Sequence, residues 1–262
     1  MTATALCIKM GLKDCKELRE AKDVRWEGDP WKVLSVTDLM TLATLGSVLP
    51  ALERLSHHEW DGAAVPDGVP RLLAGLGAGA MPSLYELSLS VLGGDAGASA
   101  LGAALDRGAL PRLKNLALTF ADLSDAGLVA LAPALRQRPA LERLNLSNNP
   151  FGNQGLRALV APPPPADGSP PPTGGLLNLK ILAISHTRIE DYPGSLSGNG
   201  LTDLAAEIDN GALPALEKLG NRTMVGGDDL KHVCKYPESN PAKRALRKAL
   251  ETLAKKRAVV PP

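Results

Sequence analysis

Aromatic residues are scarce: three Trp, three Tyr and two Phe make up 3% of the 262 residues. A large globular centre normally uses such rings, so their scarcity points to thin layers filled by Leu, Ala and Val, within an apolar share of 44%. Cysteine is rarer still. Cys7, Cys15 and Cys234 make no framework like that of small secreted domains, and no C-x-x-C pair offers structural zinc, so reduced, partly buried thiols are expected. Nowhere do about 18 apolar residues follow one another, and the opening MTATALCIKMGLKDC lacks the apolar stretch of a secretory signal. A soluble cytoplasmic protein without membrane insertion is therefore expected. Nor is there an excess of charge. Lys and Arg number 29 against 28 Asp and Glu, a net +1 that gives no general attraction to nucleic acid.

What the chain does contain is regularly spaced leucine. Residues 141–160, LERLNLSNNPFGNQGLRALV, place Leu141, Leu144, Leu146 and Asn149 at the spacing L-x-x-L-x-L-x-x-N. In a strand, Leu144 and Leu146 face one side, Leu141 reaches the same interior earlier, and Asn149 turns inward to bond the backbone of neighbouring coils. A helical return through Leu156 and Leu159 covers the other side. One such unit cannot bury its apolar face alone, so copies must stack on it. Leu144→Ala should then be costly and Ser147→Ala cheap.

The copies are present. Ala21, Val24 and Trp26 form a degenerate first set. Leu52, Leu55 and His57 follow, then Leu84, Leu87 and Leu89, then Leu113, Leu116 and Leu118. After the 141 unit come Leu179, Leu182 and Ile184, then Leu216, Leu219 and Asn221. The steps between first positions are 31, 32, 29, 28, 38 and 37 residues. In other units the asparagine place holds Leu92, Ala121 or Thr187, so no continuous asparagine ladder is expected.

The stretch LPRLKNLALTFADLSDAGLVALAPALRQRPALERL, with its strand, its D-x-G-x-x-x-L-A helix start and its following Pro, resembles the ribonuclease-inhibitor type of leucine-rich repeat. Similar pieces recur as GDAGASALGAAL, GNQGLRALV and GNGLTDLAAEI. The resemblance covers roughly residues 21–235. It implies an α/β leucine-rich-repeat solenoid, a curved arc with a parallel sheet on its concave face and helices on its convex face.

Three segments are expected. An amphipathic helix at residues 6–20 makes residues 1–20 an N-terminal cap. Residues 21–240 form an array of about seven units, with the first helical return near residues 36–48 capped by Thr37. Within it the proline-rich residues 161–175 and the piece EDYPGSLSG bulge out as loops. Residues 241–262 hold a basic closing helix of about four turns, with Asn240 as cap, Pro241 in first position and an apolar stripe of Ala242, Ala245, Leu246, Ala249, Leu250, Leu253 and Ala254.

Strand positions between the inward leucines are displayed, in columns reading Arg54, Glu86, Asn115, Arg143, Ile181, Lys218 and Ser56, Ser88, Ala117, Asn145, Ala183, Gly220. A protein partner is expected to read this face, chiefly at Arg54, Glu86, Ser88, Asn115, Arg143, Asn145, Ile181 and Lys218. On the closing helix Lys243, Arg244, Arg247, Lys248, Lys255, Lys256 and Arg257 could hold an anion, and KKR resembles part of a nuclear import signal. With no aromatic residues interleaved, nucleic acid is not expected. GLGAGA at residues 75–80 follows a helical pattern and precedes a strand, the reverse of a dinucleotide site, and reads as a helix stop. In HHEWD, His57 and His58 point to opposite faces of a strand and do not share a metal ion.

No catalytic residue, metal or cofactor is expected, nor a small-molecule substrate. The expected role is noncatalytic: an adaptor, scaffold or inhibitor, monomeric when alone. The same repeat type also occurs in the Ran activator, which makes a GTPase-activating protein the alternative, with Arg143, Asn148 and Asn149 as the nearest residues of the needed kind. Anion binding through the basic helix is the other.

Overall fold

A computed structural model of the chain describes residues 3–27, 35–45, 49–58, 68–90, 92–160, 175–184, 198–220 and 241–259. The chain forms two compact units, Met1–Asp122 and Leu123–Pro262. In both, strands follow chain order and pair in parallel, each followed by a helical return.

Unit 1 opens with two short helices, α1 (Ala3–Lys9) and α2 (Cys15–Glu20), where the sequence pattern suggests one. The apolar spacing of residues 6–20 is helical throughout. Gly11, however, takes φ +78, a left-handed turn that ends α1. Asp14 then accepts from the Glu17 amide and starts α2.

Strands β1 (Asp23–Glu27), β2 (Arg54–His58), β3 (Glu86–Leu89) and β4 (Asn115–Ala117) follow, in the register Val24, Leu55, Leu87, Leu116. All four inward residues are buried, as are Leu52, Leu84, Leu113, His57, Leu89 and Leu118. The returns are α3 (Val36–Leu45), α4 (Gly68–Gly75) and α5 (Gly94–Asp106). Ser35, and not Thr37, begins α3: the Ser35 hydroxyl accepts from the Asp38 amide, and Asp38 accepts from the Ser35 amide at 2.8 Å, a reciprocal cap. Thr37 lies inside the helix, its neighbour Asp38 held also by Lys9 of α1 at 2.7 Å. GLGAGA does end a helix, since α4 stops at Gly75. Arg107 donates to the carbonyls of Leu73, Ala74 and Leu76 there.

Unit 2 holds β5 (Arg143–Asn145), β6 (Ile181–Ala183) and β7 (Lys218–Leu219), with Leu144, Leu182 and Leu219 in register and buried. Its helices are α6 (Asp125–Arg136), α7 (Asn153–Val160), α8 (Gly198–Asp209) and α9 (Pro241–Val259). Ser124 caps α6, accepting from the Ala126 amide. Asp125 then reaches the next coil, where its carboxylate accepts from the amides of Gly152 and Gly155 at 2.9 and 2.6 Å. A Cβ on Gly155 would stand 2.8 Å from that carboxylate, which explains the second glycine of GNQG. Asn149 is fully buried. Its amide donates to the Leu146 and Ser147 carbonyls, and its oxygen accepts from the Leu123 amide one coil earlier.

Left-handed residues recur at fixed places in the repeat. Met81, Leu110, Leu176 and Leu213 each stand three residues before the first inward leucine and are buried at that turn. Phe120 and Asn148, both two residues past the third inward leucine, take φ 55 and 62.

Helix α9 begins at Pro241 and runs 19 residues, about five turns rather than four. Ala242, Leu246, Ala249 and Leu253 are buried where it packs on α8. The expected cap Asn240, the proline-rich residues 161–174, most of EDYPGSLSG, Thr187, Asn221, Cys234 and residues 59–61 of HHEWD lie outside the described residues.

Candidate protein-binding face

The register aligns the expected columns. In unit 1 Asp23, Arg54, Glu86 and Asn115 stand side by side, as do Arg25, Ser56, Ser88 and Ala117. In unit 2 Arg143, Ile181 and Lys218 form one row, with Asn145 beside Ala183. Most are half-buried or exposed, but Ala183 and Gly220 are buried. A side chain of one carbon, or none, leaves those two positions in the floor of the face. Ser147, expected to tolerate change, is also buried, at 1% exposure.

Charge on the unit 1 face is paired along the sheet. Arg54 donates to Asp23 at 2.9 Å and to the Tyr85 hydroxyl at 3.1 Å, and these bonds, Tyr85's first, raise the basicity of its guanidinium. Arg25 reaches the same Asp23 oxygen, and Asn115 donates to Glu86.

A further row one residue earlier joins the ladder, which the sequence pattern alone did not indicate. The amides of Glu53 and Arg54 both donate to the Lys22 carbonyl, those of Tyr85 and Glu86 to Glu53, and those of Lys114 and Asn115 to Tyr85. Unit 2 repeats the device from Glu142 to Lys180 to Glu217. The side chains of this row pair as well: Lys22 with Glu53 at 3.0 Å and Lys180 with Glu142 at 2.8 Å, the latter raising the Lys180 pKa. Alternating signs at positions 22 and 53, and at 142, 180 and 217, are its signal in the sequence.

Arg143 and Lys218 differ. Both are exposed, and among the described residues neither joins an ion pair. Ile181, half-buried, stands between them. Of the alternative catalytic set, Asn149 is committed to backbone and Arg143 lies on a strand.

The basic helix divides by face. Lys243 is buried at 8% exposure, and Arg257 donates to the Ala215 carbonyl. These residues and half-buried Leu250 are seven apart, along one edge of the buried stripe. Arg244, Lys248 and Lys255 point the other way and are exposed, as is Lys256, with Glu251 among them; Arg247 is half-buried. The seven cations thus do not form one patch.

Two clefts elsewhere among the described residues include surface charges in their lining. A cleft of about 430 Å³ beside α2 and β1 is lined by Lys13, Asp14, Lys16, Glu17, Glu20 and Asp23 among others. One of about 160 Å³ between α7 and α8 is crossed by the Arg157–Asp203 ion pair at 2.8 Å. Among the described residues no cluster of His, Cys, Asp and Glu could hold a metal ion, and no helix is long and apolar enough to cross a membrane.

A family model described as "Leucine Rich repeat" matches residues 111–132 and 139–160. No curated protein matches the sequence. Among solved structures, one titled "Leiomodin-1 Actin-Binding Site 2 (ABS2)" is 15% identical over 86% of this chain and 94% of its own, with a TM-score of 0.48. A tropomodulin C-terminal domain from Caenorhabditis elegans is 10% identical over 86% of this chain and 97% of its own, with a TM-score of 0.42. Likeness at that level says nothing of what this chain binds. Buried leucines recurring at the same strand places, with a helical return after each and two stretches that match the repeat model, make this chain a leucine-rich-repeat protein.

Proposed function

We propose that the chain is a noncatalytic protein-interaction module, an adaptor, scaffold or inhibitor whose displayed strand face holds a partner protein. The observation carrying this reading is the row Arg143, Ile181, Lys218: two exposed cations beside an aliphatic side chain on adjacent strands. Flanking cations fix orientation and an aliphatic centre adds contact area, a combination suited to an acidic protein surface with an apolar middle. Most other charges on the face are engaged with each other and offer a partner less. Long helical returns such as α5, of 13 residues, and α6, of 12, favour the ribonuclease-inhibitor subtype. The cytoplasm is the expected setting, and a monomer the expected resting state.

Affinity capture from native cells with the wild-type chain and with Arg143→Glu/Lys218→Glu tests the assignment. The double variant should lose the specific partner while keeping its fold by circular dichroism. Retention of every specific partner would remove the face from consideration.

A further inference from the structure

The sulfurs of Cys7 and Cys15 lie 3.5 Å apart, at the junction of α1 and α2. Their surroundings differ sharply: Cys7 is fully buried, whereas Cys15 is exposed. Gly11 sits in the turn between them in a left-handed conformation, and a Cβ there would meet nothing within 4 Å. That turn has room to adjust, and a bond between the sulfurs requires an approach of only roughly 1.5 Å.

We infer that Cys7 and Cys15 are a reactive dithiol that takes low-molecular-weight disulfides of the glutathione class and ends as an internal disulfide. The exposed sulfur leads. As a thiolate, Cys15 attacks one sulfur of the small disulfide, forming a mixed disulfide and releasing one small thiolate, which takes up the proton Cys15 lost. Cys7 then gives up its proton and attacks the Cys15 sulfur, closing the internal bond and expelling the second small thiolate, which is protonated in turn. Two protein thiols are oxidised and one small disulfide is reduced to two thiols. Burial, and then the Cys15 thiol, push the Cys7 pKa up to about 11. At neutral pH Cys7 is therefore a protonated, shielded thiol, unsuited to the first attack, and it is its 3.5 Å approach to the Cys15 sulfur that lets it carry out the resolving step. Closure joins α1 to α2 covalently across the turn, beside the Lys9–Asp38 pair that docks α1 on α3. The readout is chemical and independent of any partner.

The test uses the full chain carrying Cys234→Ser, incubated with glutathione disulfide and analysed by intact mass and by tryptic mapping after cleavage at Lys13. The two-thiol chain should lose two hydrogens, carry no glutathione and yield the Cys7 and Cys15 peptides joined. Adding Cys7→Ala should halt the reaction with one glutathione on Cys15. Adding Cys15→Ala should leave Cys7 unreacted until urea unfolds the chain. A glutathione adduct that persists on Cys15 when Cys7 is present would overturn the inference. So would Cys7 reacting in the folded Cys15→Ala chain as fast as the pair does.

Discussion

Asn149→Ala probes the packing of coil on coil more sharply than any leucine does. The carboxamide bonds two coils at once, accepting from the Leu123 amide at 3.1 Å and donating to the Leu146 and Ser147 carbonyls at 2.8 and 3.3 Å. The side chain is fully buried, so no water stands ready to replace it. An orphaned buried donor such as the Leu123 N–H costs about 1–3 kcal/mol, and the weakened carbonyls add roughly 1, giving about 2–4 kcal/mol in all. Asn148 is the control. It is half-buried and takes φ 62, a backbone that asparagine tolerates better than alanine by about 1 kcal/mol. Urea unfolding followed by circular dichroism measures both. Tryptophan fluorescence would report the wrong unit, since Trp26, Trp31 and Trp60 all precede residue 122. Hydrogen exchange at the Leu123 amide should quicken in Asn149→Ala and not in Asn148→Ala. If Asn149→Ala is no more destabilising than its neighbour, and Leu123 exchange is unchanged, the inter-coil bond contributes nothing and the reasoning is wrong.

Two further outcomes are expected. Leu144→Ala, at a site 1% exposed, should cost about 2–5 kcal/mol, while exposed Arg143→Ala, one residue away on the opposite pleat, should stay within about 0.5; equal effects by urea titration would contradict the inward assignment. Burial works against the Asp38 charge, but the hydrogen bonds from Lys9 and Ser35 outweigh it and hold the carboxyl below its usual range. A depressed folded pKa contributes stability present above the unfolded value, about 4, and lost as pH falls through the folded one. The stability gap between wild type and Asp38→Asn should therefore be full at neutral pH and narrow below about pH 4, as unfolding curves at several pH values would show.

The inward leucines were legible because a two-residue alternation repeats wherever the chain is a strand. The alternation fails where the strand stops. β5 ends at Asn145, so Ser147 no longer obeys it and is buried. Residues 6–20 kept helical spacing across Gly11, where backbone conformation rather than apolar pattern decides the break. At α3 the choice between Ser35 and Thr37 turned on Asp38, whose reciprocal bond with Ser35 fits the three-residue spacing of a capping box. The display columns followed from spacing alone. Their pairing did not, because it depends on which side chains meet across strands, as Arg54 meets both Asp23 and Tyr85. On α9, counting cations hid what the helical period shows: Lys243 and Arg257 border the packed stripe, and Arg244, Lys248 and Lys255 lie opposite.

Phe120 occupies the turn slot that Asn148 fills one coil later, and it does so with 52% of its surface in water. A bulky ring gains nothing from a left-handed backbone, whereas asparagine takes it readily. Phe120→Asn should accordingly raise the melting temperature, as thermal unfolding followed by circular dichroism would show. Anyone engineering a hardier version of this scaffold would begin there.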